Sequence, residues 1–179
     1  HQNLIARPSL TREQRDLALL QLGNDFYKSG LFDRSQEIFI QLKKSPEYQV
    51  VALKNLLKTH QQLKEWKEAI VVAETLNKLS KGKSNSQTLS YLYCSLAEQL
   101  VHPDETKKRV KLYQKALNVF PHCIRASIAL ADYYESINEF DKGLEILKTV
   151  PNSDIDFSEV ILTKLLYLYQ RLDREESLI

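Results

Sequence analysis

Four histidines and two cysteines are the residues here with the chemistry to hold a metal ion or act as nucleophiles. His102, His122 and Cys123 fall in one stretch. A structural zinc site needs four converging ligands. His102 sits beside Pro103 as a turn residue, and His122 and Cys123 follow Pro121 directly, so these three read as punctuation rather than ligands. There is no Cys-x-x-Cys, no His-Glu-x-x-His, no Gly-rich phosphate loop and no Gly-x-Ser-x-Gly. Each of those motifs carries a mechanism, and without them the chain reads as a non-enzyme holding no cofactor and no metal. Cys94 has no neighbour in sequence that would lower its pKa, so it reads as an inert thiol. Two cysteines give no disulfide framework, which suits a reducing compartment.

Composition narrows the classes further. The formal net charge is +2, with 27% charged and 43% hydrophobic residues. Nucleic-acid binding calls for a strongly basic face, which this balance does not provide. The longest apolar runs, such as Ile70 to Ala73, are far too short to cross a bilayer. No stretch reads as a signal peptide. With only four Gly and five Pro, most of the chain can be helical.

The positioning elements emerge from the stretch 50–81. Leu53, Leu56, Leu57 and His60 recur at the spacing of one helical face, and Ala69, Ile70, Ala73 and Leu76 do so after a short break. The break at Leu63-Lys64-Glu65-Trp66 is short enough to force an antiparallel hairpin, with Ala69 at the close crossing. The pattern recurs. A frame from Asp16 places Leu19, Leu22, Gly23, Phe26, Gly30, Phe32, Ser35 and Phe39 as the frame from Val50 places Leu53, Leu56, His60, Trp66, Ala69 and Leu76. Further frames start at Ser90 (Tyr93, Leu96, Ala97, Leu100, Tyr113, Ala116, Pro121) and Ile124 (Leu130, Ala131, Tyr134, Phe140, Gly143, Leu147), and one from Ser158 opens with Ile161, Leu165 and Leu168. The chain thus resembles the tetratricopeptide repeats, whose period is about 34 residues. The expected fold is an all-α solenoid, a right-handed superhelix of antiparallel helix pairs. Complete repeats are expected at 16–49, 50–83, 90–123 and 124–157, with partial repeats at 1–8 and 158–179. On that pattern His60 and Trp66 are packing residues.

Local signals set expected boundaries. Thr11 followed by Gln14 is a capping box. The helix it opens should reach about Lys28, with Gly30 making the turn and Asp33 in the next first turn. Pro46 should end that second helix. Gly82 to Ser86 reads as a mobile loop, and His102-Pro103-Asp104 and Asn138-Glu139-Phe140-Asp141 as internal turns. Pro121 and Pro151-Asn152-Ser153 should close their units. His1 to Ala6 reads as the end of an earlier repeat, and Leu172 to Ile179 as the start of a second helix in the last one, so the chain reads as a piece of a longer protein.

In such arrays the first helices line the concave side, where extended segments bind. The frames place Leu20, Asn24 and Tyr27 there, then Val51, Lys54, Lys58 and Gln61. Tyr91, Cys94, Glu98 and Val101 follow, then Arg125, Ile128, Asp132 and Glu135, and last Glu159, Leu162, Leu166 and Tyr169. The candidate binding residues are Asn24, Tyr27, Lys54, Lys58, Gln61, Tyr91, Glu98, Arg125, Asp132 and Glu135. The surface should be basic near Lys54 and Lys58 and acidic from the third repeat on. Asn24 with Lys58 is similar to part of the carboxylate clamp of chaperone-binding repeats, but Cys94 and Glu98 stand where that clamp wants basic residues.

A narrower resemblance rests on Ser9-Leu10-Thr11-Arg12-Glu13-Gln14-Arg15, Gln21-Leu22-Gly23-Asn24-Asp25-Phe26-Tyr27, Gly30-Leu31-Phe32-Asp33-Arg34, Glu65-Trp66-Lys67-Glu68-Ala69-Ile70 with Val72-Ala73-Glu74, and Tyr93-Cys94-Ser95-Leu96-Ala97. These stretches look like the bacterial lipopolysaccharide assembly protein B family. The resemblance implies a non-enzymatic adaptor at the cytoplasmic face of the inner membrane. Such an adaptor hands the deacetylase that commits precursor to lipid A to a membrane AAA protease. It also implies an N-terminal membrane helix and a C-terminal rubredoxin-like metal domain, both outside this chain. A scaffold for envelope assembly proteins fits the same residues. Either way the expected partners are proteins, with no nucleic acid and no membrane contact by the repeats themselves.

Overall fold

The computed structural model describes residues 11–79, 83–150 and 155–176, and all regular structure among them is helical. The helices fall in two compact units, His1–Asn85 and Ser86–Ile179. The expected earlier repeat at 1–8 and the break at Pro151-Asn152-Ser153 lie outside the described residues.

The first unit holds two helix pairs, α1 (Arg12–Lys28) with α2 (Phe32–Leu42) and α3 (Gln49–Gln62) with α4 (Trp66–Leu79). The capping box opens α1: the Thr11 hydroxyl accepts the Gln14 N–H at 3.2 Å, and the Gln14 side chain accepts the Thr11 N–H at 3.1 Å. Two of the four N–H groups that a helix start leaves unpaired are thereby satisfied. At the other end Gly30 takes φ 74°, the left-handed turn that glycine adopts without a steric penalty. There the Leu31 N–H reaches back to the Phe26 carbonyl at 2.9 Å and the Gly30 N–H to that of Tyr27 at 3.1 Å. Lys64, at φ 56°, makes the same turn after α3, and Asn138, at φ 59°, makes it in the second unit. One local device therefore reverses the chain in three pairs, with glycine at only one of them.

Small residues let the helices of a pair close up. Gly23 faces Phe39, and the Ser35 hydroxyl donates to the Gly23 carbonyl at 2.9 Å, tying α2 to α1 at the crossing. Phe39 is fully buried, which stabilises by about 1.5–3 kcal/mol for such a side chain. Ala69 is fully buried in the next pair, as the hairpin reading requires. The helix α2 stops at Leu42, ahead of Pro46, because Lys44 and Ser45 turn back onto the Gln41 and Leu42 carbonyls. Proline disfavours helical geometry in the residue before it, so the turn must come earlier.

The second unit contains α5 (Lys83–Gln99) from Ser86 onward, a 3₁₀ turn (Pro103–Glu105), α6 (Thr106–Val119), α7 (Ile124–Ser136), α8 (Phe140–Lys148) and α9 (Ile155–Glu176). Two expectations are corrected here. Most of the expected loop at 82–86 is helix, since α5 already begins at Lys83, while Gly82 lies outside the described residues. Serine and asparagine are as much at home near a helix start as in a loop, and the buried stripe Leu89, Leu92 and Tyr93 holds the rest of the helix in place. The second correction concerns the end. The residues from Leu172 to Glu176 extend α9 rather than open a second helix. Leu165, Leu168 and Leu172 continue one helical stripe onto a cluster with Ala131, Phe140, Leu144 and Leu147, and no Gly, Asn or Pro interrupts it. The third pair turns differently from the others, through Pro103–Glu105 before Thr106 opens α6.

Candidate protein-binding surface

The candidate residues of the first unit lie on α1 and α3. Lys54 and Lys58 are exposed and one helical turn apart, presenting two positive charges to solvent. Asn24, Tyr27 and Gln61 are half-buried, and the Tyr27 ring meets Phe32 edge-on with centroids 5.4 Å apart.

The second unit draws its candidates together. Arg125, near the start of α7, grips Glu98 of α5 through both carboxylate oxygens, its Nε lying 2.6 Å from Oε1. The same guanidinium lies over the ring of Tyr91, 5.1 Å from its centroid. A planar fork suits a carboxylate and an aromatic face at once. The ion pair with Glu98 raises the Arg125 pKa further above its ordinary value. Asp132 pairs with Lys164 on α9. Successive first helices are therefore stitched along one face. The expected acidic character is reduced there, because Glu98 and Asp132 both carry cationic partners. Between these pairs runs a groove of about 600 Å³ lined by Glu98, Arg109, Tyr113, Asp132, Tyr133 and Ser136 among others. Glu135 is half-buried and lines a second, smaller hollow with Lys164 and Arg171. Among the described residues no group of three or more His, Cys, Asp or Glu side chains could hold a metal ion. No described helix is long and apolar enough to cross a membrane.

Two clusters went unread in the sequence. His60 is buried, as a packing residue would be, but it is also hydrogen-bonded. Its Nδ1 lies 2.7 Å from the Glu65 carboxylate, and since a carboxylate only accepts, Nδ1 carries the proton. Gln36, from the preceding pair, donates to the same oxygen at 2.9 Å. The left-handed turn at Lys64 makes this possible, because the Glu65 N–H bonds the His60 carbonyl at 2.9 Å and folds the glutamate back over the ring. The other cluster corrects the reading of Cys94. It is fully buried rather than open to a groove, and its Sγ is 3.8 Å from that of Cys123. Their hydrogen bond, with burial, pushes the Cys94 thiol up, and the same bond pulls the Cys123 thiol down. The neighbour that changes Cys94 stands 29 positions away, where a reading of adjacent residues does not look.

Antiparallel helix pairs closed by repeated left-handed turns, with small residues at their crossings, define a tetratricopeptide-repeat protein. The fold agrees with the solved structure of MamA, at a TM-score of 0.52 and 19% identity over 91% of this chain and 86% of that one. No protein-family model matches the chain. Lipopolysaccharide assembly protein B of Haemophilus influenzae is 36% identical over 177 residues, 99% of this chain and 44% of that protein. The Escherichia coli K12 protein of the same name is 35% identical over 174 residues, again 44% of its length. Over almost its full length the chain is thus similar to part of the proteins named lipopolysaccharide assembly protein B, and it spans somewhat under half the length of these curated relatives.

Proposed function

We propose that the chain is the protein-binding part of a non-enzymatic adaptor in lipopolysaccharide biosynthesis. In this reading it presents the deacetylase that commits precursor to lipid A to a membrane AAA protease, at the cytoplasmic face of the inner membrane. The observation that carries the reading is the 36% identity, over 99% of this chain, to a protein named for lipopolysaccharide assembly. The geometry supplies a physical means. Two exposed lysines on α3 suit an acidic segment, and the groove beside Glu98 and Asp132 offers hydrogen-bonding groups next to the Tyr113 and Tyr133 rings. Recognition of this kind needs complementary charge and shape, with no bond made or broken.

The test is the half-life of the deacetylase in cells with and without this protein. Delivery to a protease requires that loss of the protein lengthens that half-life. An unchanged half-life overturns delivery, and capture of envelope assembly proteins in the same cells would then favour a scaffold.

A further inference from the structure

We propose that Cys94 and Cys123 form a peroxide-responsive dithiol, which closes to a disulfide clamping α5 to the start of α7. Three independent observations meet at this pair. The two sulfurs are 3.8 Å apart, so about 1.8 Å of further approach reaches bonding distance. Cys123 is the N-cap of α7, where the partial positive charge of a helix start favours a thiolate. Finally, Ser90 is 1% exposed and its hydroxyl has no hydrogen-bond partner. A buried hydroxyl without an acceptor is costly. A thiolate at Cys123 would supply one, and the Ser90 side chain is among the groups that stabilise that thiolate, with the Ala126 N–H and the Arg125 guanidinium.

The environments of the two thiols assign their roles. Cys123 is half-buried and can be reached from solvent, whereas Cys94 is fully enclosed. The Cys123 thiolate attacks one oxygen of a hydroperoxide, the O–O bond breaks, and the departing oxyanion takes a proton. Cys123 is left as the sulfenic acid, oxidised by two electrons. The Cys94 sulfur then attacks the sulfenic sulfur. The S–S bond forms as the S–O bond breaks, and hydroxide leaves with the Cys94 proton as water. The peroxide is reduced and the two thiols are oxidised, with no other reactant. The closed loop holds the 3₁₀ turn and all of α6, and it lies two residues from Arg125. Oxidation would therefore fix the spacing of the helices that carry Glu98, Arg125 and Tyr91, without touching those side chains. The inference does not depend on the partner proposed above.

The test treats the folded chain with one equivalent of hydrogen peroxide and reads intact mass, then peptides digested without reduction. The expected result is a loss of two hydrogens and a crosslinked Cys94–Cys123 peptide, both reversed by a thiol reductant. In Cys94→Ser, Cys123 should accumulate as a sulfenic acid that a cyclic diketone traps. In Cys123→Ser, Cys94 should resist peroxide until the protein is unfolded. Both thiols surviving in the parent, or Cys94 oxidising as fast without Cys123, would overturn the proposal. The parent measurement needs neither variant to fold.

Discussion

The same substitution at two glycines should move stability in opposite directions. Gly23 and Gly143 are both buried in helices. Replacing either with alanine gains about 1 kcal/mol of helix propensity. A Cβ at Gly23 would sit 2.8 Å from Phe39 Cε1, 2.9 Å from its Cζ and 3.1 Å from Ile38 Cγ2. Phe39 is fully buried and has no free space to swing into, so α2 must lift or the ring must leave its rotamer. Overpacking of this kind costs about 1–3 kcal/mol. Lifting α2 also strains the bond from Ser35 to the Gly23 carbonyl, worth about 1 kcal/mol. The net expectation for Gly23→Ala is a loss of about 1–3 kcal/mol, a fall in Tm of about 2–12 °C for a chain of this size. At Gly143 the nearest atoms to a new Cβ are Leu168 Cδ1 at 3.5 Å and Ala131 O at 3.6 Å, ordinary contacts. Gly143→Ala should therefore gain about 1 kcal/mol, raising Tm by about 2–4 °C. Parallel thermal and urea melts decide it. If Gly23→Ala melts at or above the parent, the crossing is looser than its geometry implies and the argument from close packing is wrong.

Glu65→Ala should cost about 1–3 kcal/mol in a urea melt, because it leaves His60 and Gln36 without their shared acceptor; an unchanged midpoint would show that water replaces the carboxylate. Reversing Lys54 and Lys58 together to Glu should weaken capture of an acidic partner and flatten its salt dependence, read by binding at two ionic strengths; unchanged binding would move the site off α3. The Cys123 thiol, lowered to about 6 chiefly by its bond from Cys94, should alkylate with a midpoint near that pH in the folded protein. Its folded pKa lies below the ordinary thiol value, so the stability this thiol contributes fades as pH falls from about 9 to about 6, while the raised Cys94 thiol opposes it at more alkaline pH. An alkylation midpoint in the ordinary thiol range would refute this.

The repeats were legible because their signals are local and recur. Thr11 with Gln14, Gly30 and Asn138 mark helix ends within a few residues, and small residues such as Gly23 and Ala69 mark crossings. Lys64 hid the same turn behind a residue with no special liking for it. The continuous α9 was obscured by counting repeats rather than following its leucine stripe. The repeats assign each candidate residue to a helix, but not its partners. Arg125 and Glu98 were read as separate contributions to a surface, whereas they satisfy one another. Cys94 meets Cys123 only after the whole of α6 has folded back, and Gln36 meets His60 only after the chain has turned from α2 into α3, so no short window along the chain contains both members.

Repetition brings a hazard that the trio of Gln36, His60 and Glu65 counters. Units built to one template can dock on the wrong neighbour, within a chain or between chains, since their apolar faces are nearly interchangeable. The trio gives one junction a chemical identity. Gln36 comes from the first helix pair and the other two from the second, all within the first unit. A mismatched neighbour would leave the Glu65 carboxylate without the Gln36 donor, while the thiol pair at a different junction offers no substitute. Repeat order is thus written into the chain as a lock that only the proper neighbour opens, and misassembled forms carry a polar defect that the apolar contacts alone would not impose.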